Sequence, residues 1–297
     1  MYFFDFIKNI VKKNNLGCLI WLIVNTVIVT IVLGSWLGGR WTDYVKGVFL
    51  YIIVLALCLS PLGEAVLRLQ SGCSKIKRKE HLDRLVPLFN EVYAKSKEKN
   101  PDLPNNIQLY MSESEEPNAF ATGRKTVCIT RGLLRYPDQQ IKSILAHEFG
   151  HLAHKDTDAI LIIAIGNLFV SIIFVIFRII IRFISFMVSL LVGYISENIA
   201  IGFAAGFTHA CIDGILGGAM WLWTKLGVLL CLHSSRENEK LADQYSFELG
   251  YGEYLCYFLD RLPISTERGL WAALNASHPD HDSRIAYLQE LGCSYQG

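Results

Sequence analysis

Charge is what this sequence has least of. Only 19% of its 297 residues are Asp, Glu, Lys or Arg, against 52% hydrophobic. That is too oily for an ordinary soluble globule and far from the composition of a disordered chain. Neither sign is in excess: 28 Lys and Arg face 27 Asp and Glu. The cationic surface that nucleic-acid binding requires is therefore lacking, and no nucleic-acid partner is expected. Eight cysteines are present, but none forms a C-x-x-C pair. Several sit in apolar runs, where a thiol acts as a small hydrophobe. A thiolate zinc site and a disulfide scaffold are both disfavoured. Internal repeats and low-complexity segments are missing as well.

What is abundant is long apolar sequence. Residues 16–39 hold no charge, enough to cross a bilayer core that needs roughly 20 residues. A second uncharged run covers 47–63 after a short polar link at 40–46, so the two are expected to form a transmembrane hairpin. Lys8, Lys12 and Lys13 precede it, and Lys75, Lys77, Arg78 and Lys79 follow it. This bias puts both ends of the hairpin in the cytoplasm. A second oily region opens with the uncharged runs 159–177 and 183–196, then continues through 198–232, interrupted by Asp213 and Lys225. Glu197, His209 and Asp213 are ionisable groups at oily positions.

Between and after these regions the composition turns soluble. A helix is expected from His81 toward Lys97, with Pro87 either kinking it or marking its first turn. Strands are expected at 107–111 and 126–130, with an extended piece at 117–123 between them. Asp138 is the candidate N-cap of a helix whose apolar face is Ile141, Ile144, Leu145, Phe149 and Leu152. Past the second oily region, Ser234 or Ser235 would cap a helix through Asp243, closed by Gly250. Two short helices are expected near Tyr254 and 283–291.

The chemistry lies in His147-Glu148-Phe149-Gly150-His151. On a helix, residues four apart share a face, so both imidazoles can reach one zinc ion while Glu148 addresses a water beside it. A third histidine at the spacing of one known variant is excluded, because Thr157 stands there. Glu239 is the better third ligand, and Asp243, one turn on, can orient a ligand histidine through its second ring nitrogen. The competing reading of Glu239 and Asp243 is a solvated charged face. If the three ligands share one ion, the chain between His151 and Glu239 must return to the same side of the membrane. That requires an even number of crossings.

Taken together, Asn118 to Gly123, His147 to His151 with Asp156 beyond, Ser235-Arg236 leading to Glu239 and Ala242-Asp243, and His278-Pro279 followed by Arg284-Ile285 resemble the HtpX-type membrane metallopeptidases. These are gluzincins related to the CAAX prenyl endopeptidases. The resemblance implies a mainly α (α+β) fold: a helical zincin-type catalytic domain with a small β-sheet and about four transmembrane helices. The expected layout is a transmembrane hairpin at 1–70, half of the peptidase domain at 71–158, a second hairpin at 159–233 and the other half at 234–297. One Zn²⁺ per chain, held by His147, His151 and Glu239, is implied, with Glu148 as general base. Asn118, Ala119, Phe120 and Ala121 would hold substrate as an added strand. His278 becomes a candidate donor to the oxyanion, and Arg284 reads as a structural ion-pair or helix-end residue rather than a catalytic one. The implied partners are protein substrates, chiefly membrane proteins, and the lipid bilayer of a bacterial-type inner membrane. The implied work is quality control and stress response on the cytoplasmic side. A CAAX-type prenyl peptidase and a catalytically silent scaffold are the rival readings. No feature of the sequence points to an oligomeric state.

Overall fold

The computed structural model describes residues 2–12, 15–155, 157–196, 237–262 and 281–296, with short helical pieces between 211 and 226. Asp156, Glu197, His209, Asp213, Ser234, Ser235, Arg236, His278 and Pro279 lie outside the described residues.

Helix α1 (Tyr2–Ile10) leads into a hairpin of α2 (Leu16–Leu37) and α3 (Trp41–Cys58). Among the described residues, α2 and α3 are the two helices long and apolar enough to cross a membrane. Ile23, Val27, Ile31, Phe49 and Ile53 are exposed on their outward faces; lipid would cover such side chains at no cost. Inward, Trp21, Val29, Leu33, Tyr51 and Leu55 pack together. There Asn25 Nδ2 donates to the Tyr51 hydroxyl at 2.6 Å. The link expected at 40–46 is shorter, since Asp43 and Lys46 already lie in the first turns of α3 as an ion pair. The run at 47–63 also breaks. Ser60 Oγ accepts the Leu62 N–H and Pro61 takes the first helical position, so a separate helix, α4 (Pro61–Gln70), begins. A cap followed by proline resets the helix even within apolar sequence.

Buried Glu64 of α4 accepts from Thr126 Oγ1 at 2.6 Å and from the Lys125 N–H at 3.1 Å. These bonds tie α4 to a three-stranded sheet of β1 (Gln108–Ser112), β2 (Ala119–Thr122) and β3 (Thr126–Thr130), in the order β1–β3–β2. β1 runs parallel to β3, and β2 antiparallel. β3 is buried along its whole length. Its alternation sends Val127 and Ile129 into the main core and Cys128 to the opposite face, beside Cys73, Tyr110 and Phe120. Cys58, Cys73, Cys128, Cys211, Cys256 and Cys293 are free thiols.

Helix α5 (Lys79–Lys99) carries Pro87 in its interior, not at its first turn. Helix α6 (Asp138–His154) buries one side after another from Gln140 to Leu152. Its Phe149 rings against Phe89 and Tyr93 at centroid distances of 5.4 and 5.6 Å; burial of such a ring contributes roughly 1.5–3 kcal/mol. Asp138 is not the N-cap. Pro137 holds that position, and the Asp138 carboxylate accepts from Arg84 Nε at 2.9 Å. A tertiary partner has displaced the local one.

Helix α7 (Thr157–Ser196) is continuous over 40 residues, about 60 Å at roughly 1.5 Å per residue. The two runs 159–177 and 183–196 are therefore one element, with Arg178 and Arg182 inside it. Residues 237–248 form α8, followed by α9 (Gly252–Asp260) and α10 (His281–Glu290). α8 closes as expected at Gly250, whose φ is +84°. The Gly250 N–H bonds Phe247 O at 2.8 Å and the Tyr251 N–H bonds Ser246 O at 3.0 Å, the paired pattern that terminates helices at a left-handed glycine.

Candidate metal centre

Helices α6 and α8 meet at their smallest residues. A Cβ on Gly150 would lie 2.9 Å from the Ala242 Cα and 3.1 Å from the Tyr245 Cβ. The glycine inside the His147–His151 segment thus sets how closely α8 approaches. Ser246 Oγ donates to Ser143 O at 3.0 Å two turns away and fixes the same crossing. Sequence reasoning passed over Gly150 and Ser246; the spacing of small residues at 150 and 242 was the available signal.

That approach brings His147, His151 and Glu239 together. The two Nε2 atoms stand 3.2 Å apart. Glu239 Oε2 lies 3.4 Å from His147 Nε2, and Oε1 lies 3.3 Å from His151 Nε2. The donor atoms offered by the three residues all fall within 4.8 Å of one another. Two donors each about 2.0–2.2 Å from one tetrahedral zinc ion are separated by about 3.3–3.6 Å. The donor set therefore fits a zinc ion in both chemistry and spacing.

Asp243, one turn beyond Glu239 and fully buried, meets the other side of the His147 ring, with Oδ1 2.8 Å from Nδ1. This makes Nδ1 the donor and turns the Nε2 lone pair toward the ligand triangle. Burial pulls the His147 pKa down, but the Asp243 hydrogen bond and charge, helped by Glu239, outweigh it and raise the pKa above its ordinary value. Arg284 of α10 clamps Asp243 with two bonds, Nη2 to Oδ1 at 2.6 Å and Nε to Oδ2 at 2.8 Å. Its Nη1 lies 3.8 Å from Glu239 Oε2. Burial alone would raise the Asp243 pKa; the charge and hydrogen bonds of Arg284 hold it below the usual carboxylate range. Of the two structural roles the sequence left open for Arg284, ion pair or helix end, the ion pair with Asp243 is the one present.

Glu148 is buried on the neighbouring face of α6. Its Oε2 accepts the Ala121 N–H at 2.6 Å. The register explains the reach. Thr130 N–H bonds Asn118 O at 2.9 Å, so the even residues of β2 pair with β3 while Ala119 and Ala121 turn their backbone groups outward. Among the described residues β2 is therefore an edge strand beside the candidate site, with one outward N–H committed to Glu148. Asn118 holds its place through the Thr130 hydroxyl at 2.8 Å, and half-buried Phe120 points to the far face of the sheet. His278 cannot be placed beside this group, because it lies outside the described residues.

A family model described as "Peptidase family M48" matches residues 83–292. Protease HtpX homolog 1 of Streptomyces coelicolor is 47% identical over 64 residues, covering 20% of this chain and 21% of that relative. Protease HtpX homolog of Thermoplasma acidophilum is 43% identical over 70 residues, covering 20% and 22%. The matched stretches span about a fifth of each curated relative. Among solved structures, Ste24p of S. mikatae aligns over 91% of this chain and 66% of its own, at 20% identity and a TM-score of 0.41. Since the family model takes in more than half of the sequence, including every candidate ligand and Arg284, the chain belongs to peptidase family M48.

Proposed function

We propose that the chain is a membrane-integrated zinc endopeptidase that cleaves misfolded or damaged membrane proteins on the cytoplasmic side. The observation that carries this reading is the triangle of His147 Nε2, His151 Nε2 and Glu239 oxygens, with edges of 3.2 to 3.4 Å. His147, His151 and Glu239 would hold one zinc ion per chain. Bound there, zinc supplies Lewis acidity, lowering the pKa of water to about 7 and polarising the scissile carbonyl.

The remaining work belongs to the chain's own groups. The Ala121 N–H anchors Glu148 Oε2, and Oε1 makes no hydrogen bond among the described residues. Oε1 is the atom that takes a proton from the attacking water and returns it to the leaving amine. Asp243 and Arg284 keep the His147 ring from rotating. An extended substrate would add along the outer edge of β2, using the backbone of Ala119 and the Ala121 carbonyl, since the Ala121 N–H is already engaged. His278 is the proposed donor to the developing oxyanion. The hairpin at 1–70 and the segment 159–233 would hold the two catalytic pieces, 71–158 and 234–297, at the cytoplasmic membrane surface, where membrane substrates are concentrated. The cations at Lys8, Lys12, Lys75, Lys77, Arg78 and Lys79 support that orientation.

The test is cleavage of casein or a membrane substrate by the purified chain and its Glu148→Gln form. The substitution should retain zinc and slow cleavage by roughly 10²- to 10⁴-fold; cleavage at the wild-type rate refutes the mechanism. Tags placed at residue 39 and at the C-terminus should report opposite sides of the membrane, and a shared side refutes the orientation.

A further inference from the structure

Three asparagines, Asn9 through both its side chain and its main-chain carbonyl, form a hydrogen-bonded path between the helices that carry His151 and Glu239. Helix α6 ends at His154, and Lys155 beyond it adopts φ +61°, a left-handed conformation usually left to glycine. The last carbonyls of any helix have no partner within it. Here buried Asn9 supplies one: its Nδ2 donates to His154 O at 3.2 Å and to Lys155 O at 3.1 Å. The main-chain carbonyl of Asn9 accepts from Asn15 Nδ2 at 3.0 Å. Asn15 Oδ1 accepts from Asn238 Nδ2 at 3.4 Å, and Asn238 immediately precedes Glu239.

The same segment reaches the third part of the site. Asp5 of α1 pairs with Arg124 at 2.9 Å, and Arg124 with Asp158 at 2.6 Å. Arg124 lies in the turn after β2, the strand whose Ala121 N–H holds Glu148. The stretch ahead of the first membrane helix therefore touches the end of the histidine helix, the start of the Glu239 helix and the turn behind the edge strand.

We propose that Asn9 and Asn15 are positioning residues of the metal centre, setting the spacing of α6 and α8 at which His151 Nε2 and Glu239 Oε1 meet. This rests on the zinc-site reading above. Asn9 is chemically specific for the task, because one amide nitrogen serves two carbonyls. An aspartate of the same shape has no N–H and would set oxygen against oxygen. Groups that orient metal ligands from outside the ligand shell typically change metal affinity by about 10- to 100-fold when lost.

The experiment uses the full chain in detergent, as wild type, Asn9→Asp and Asn15→Ala. Zinc affinity is read by chelator competition, ligand geometry by the visible absorption of the Co²⁺-loaded protein, and fold integrity by thermal unfolding of the metal-free chain. Asn9→Asp should weaken zinc binding by about 10-fold and alter the Co²⁺ spectrum, and Asn15→Ala should do so to a smaller degree. Unfolding temperatures that fall while zinc affinity and spectrum stay at wild-type values overturn the proposal, leaving a merely structural tie. Should Asn9→Asp fail to fold, Asn15→Ala decides by the same two readouts. A wild-type chain that takes up neither ion overturns the zinc-site reading and this inference with it. A wild-type chain that binds, with variants binding equally, overturns this inference alone.

Discussion

Helices α2 and α6 solve the same problem in different solvents. α2 is apolar around its circumference, and its one deeply buried amide, Asn25, bonds Tyr51 across the hairpin. α6 buries Lys142, Ser143, His147 and Glu148 along with its apolar residues, and each has a partner on another element. Lys142 Nζ reaches Glu91 at 2.6 Å, the Ser143 carbonyl accepts from Ser246, His147 meets Asp243, and Glu148 meets Ala121. In a bilayer the outward face costs nothing to leave apolar, and few polar bonds are needed. Inside the catalytic core these four find matches, because an unmatched buried group forfeits its hydration; Gln140 Oε1 on the same helix is an exception among the described residues. Composition alone can therefore identify a helix like α2. The buried polar residues of a helix like α6 are intelligible only with the elements around it.

This contrast can be broken or sharpened by substitution. The largest effect should come from Arg284→Met, which strands the buried Asp243 carboxylate. Removing one member of a buried pair costs about 3–5 kcal/mol, so chemical unfolding of the metal-free chain should show a loss of that order. A loss under about 1 kcal/mol would mean that Asp243 is matched by His147 alone. Next comes Gly150→Val, which forces α8 away from α6 at Ala242. Overpacking of this kind costs about 1–3 kcal/mol, and zinc retention should fall with it. An unchanged zinc content would show that the close crossing does not set the ligand triangle.

In the hairpin, Asn25→Leu should cost only about 0.6 kcal/mol, and at most about 2, measured as unfolding in mixed micelles. A cost equal to that of Arg284→Met would erase the distinction between the two regions. The smallest effect should be an acid one. The Lys142 hydrogen bond holds the Glu91 pKa below its ordinary value despite some desolvation. A lowered carboxylate contributes stability above its unfolded pKa and loses it as pH falls through the folded value. Glu91 is 43% exposed, so screening keeps the loss to about 0.2–0.5 kcal/mol. As pH falls below the ordinary value of 4.5 and through the lower folded one, the stability curves of wild type and Glu91→Gln should converge.

Legibility in the sequence followed how local each cause was. β3 and the core face of α6 were readable because alternation and helical spacing act within ten residues. Gly250 was readable because its left-handed turn is a property of one residue. Ser60-Pro61 carried a local start signal, yet the continuous apolar run concealed it. Asp138 misled for the opposite reason: its partner, Arg84, lies 54 residues away. Helix α1 was not foreseen at all, since Asp5 and Asn9 find their partners at Arg124 and at the end of α6, more than a hundred residues on. The candidate zinc ligands stood between these cases. His147 and His151 share one turn-spaced motif, whereas Glu239 required pairing with a segment beyond the long excursion of α7. The Glu148–Ala121 bond had no sequence signal, because it follows from which residues of β2 face outward.

On the reading proposed above, three side chains from α6 and α8 hold one zinc ion. Elemental analysis of the purified full chain, beside its Glu239→Ala form, tests it most directly. Close to one zinc per wild-type chain is expected, falling to a small fraction when Glu239 is removed while His147 and His151 remain. Equal zinc in both proteins, or none in the wild type, would contradict it.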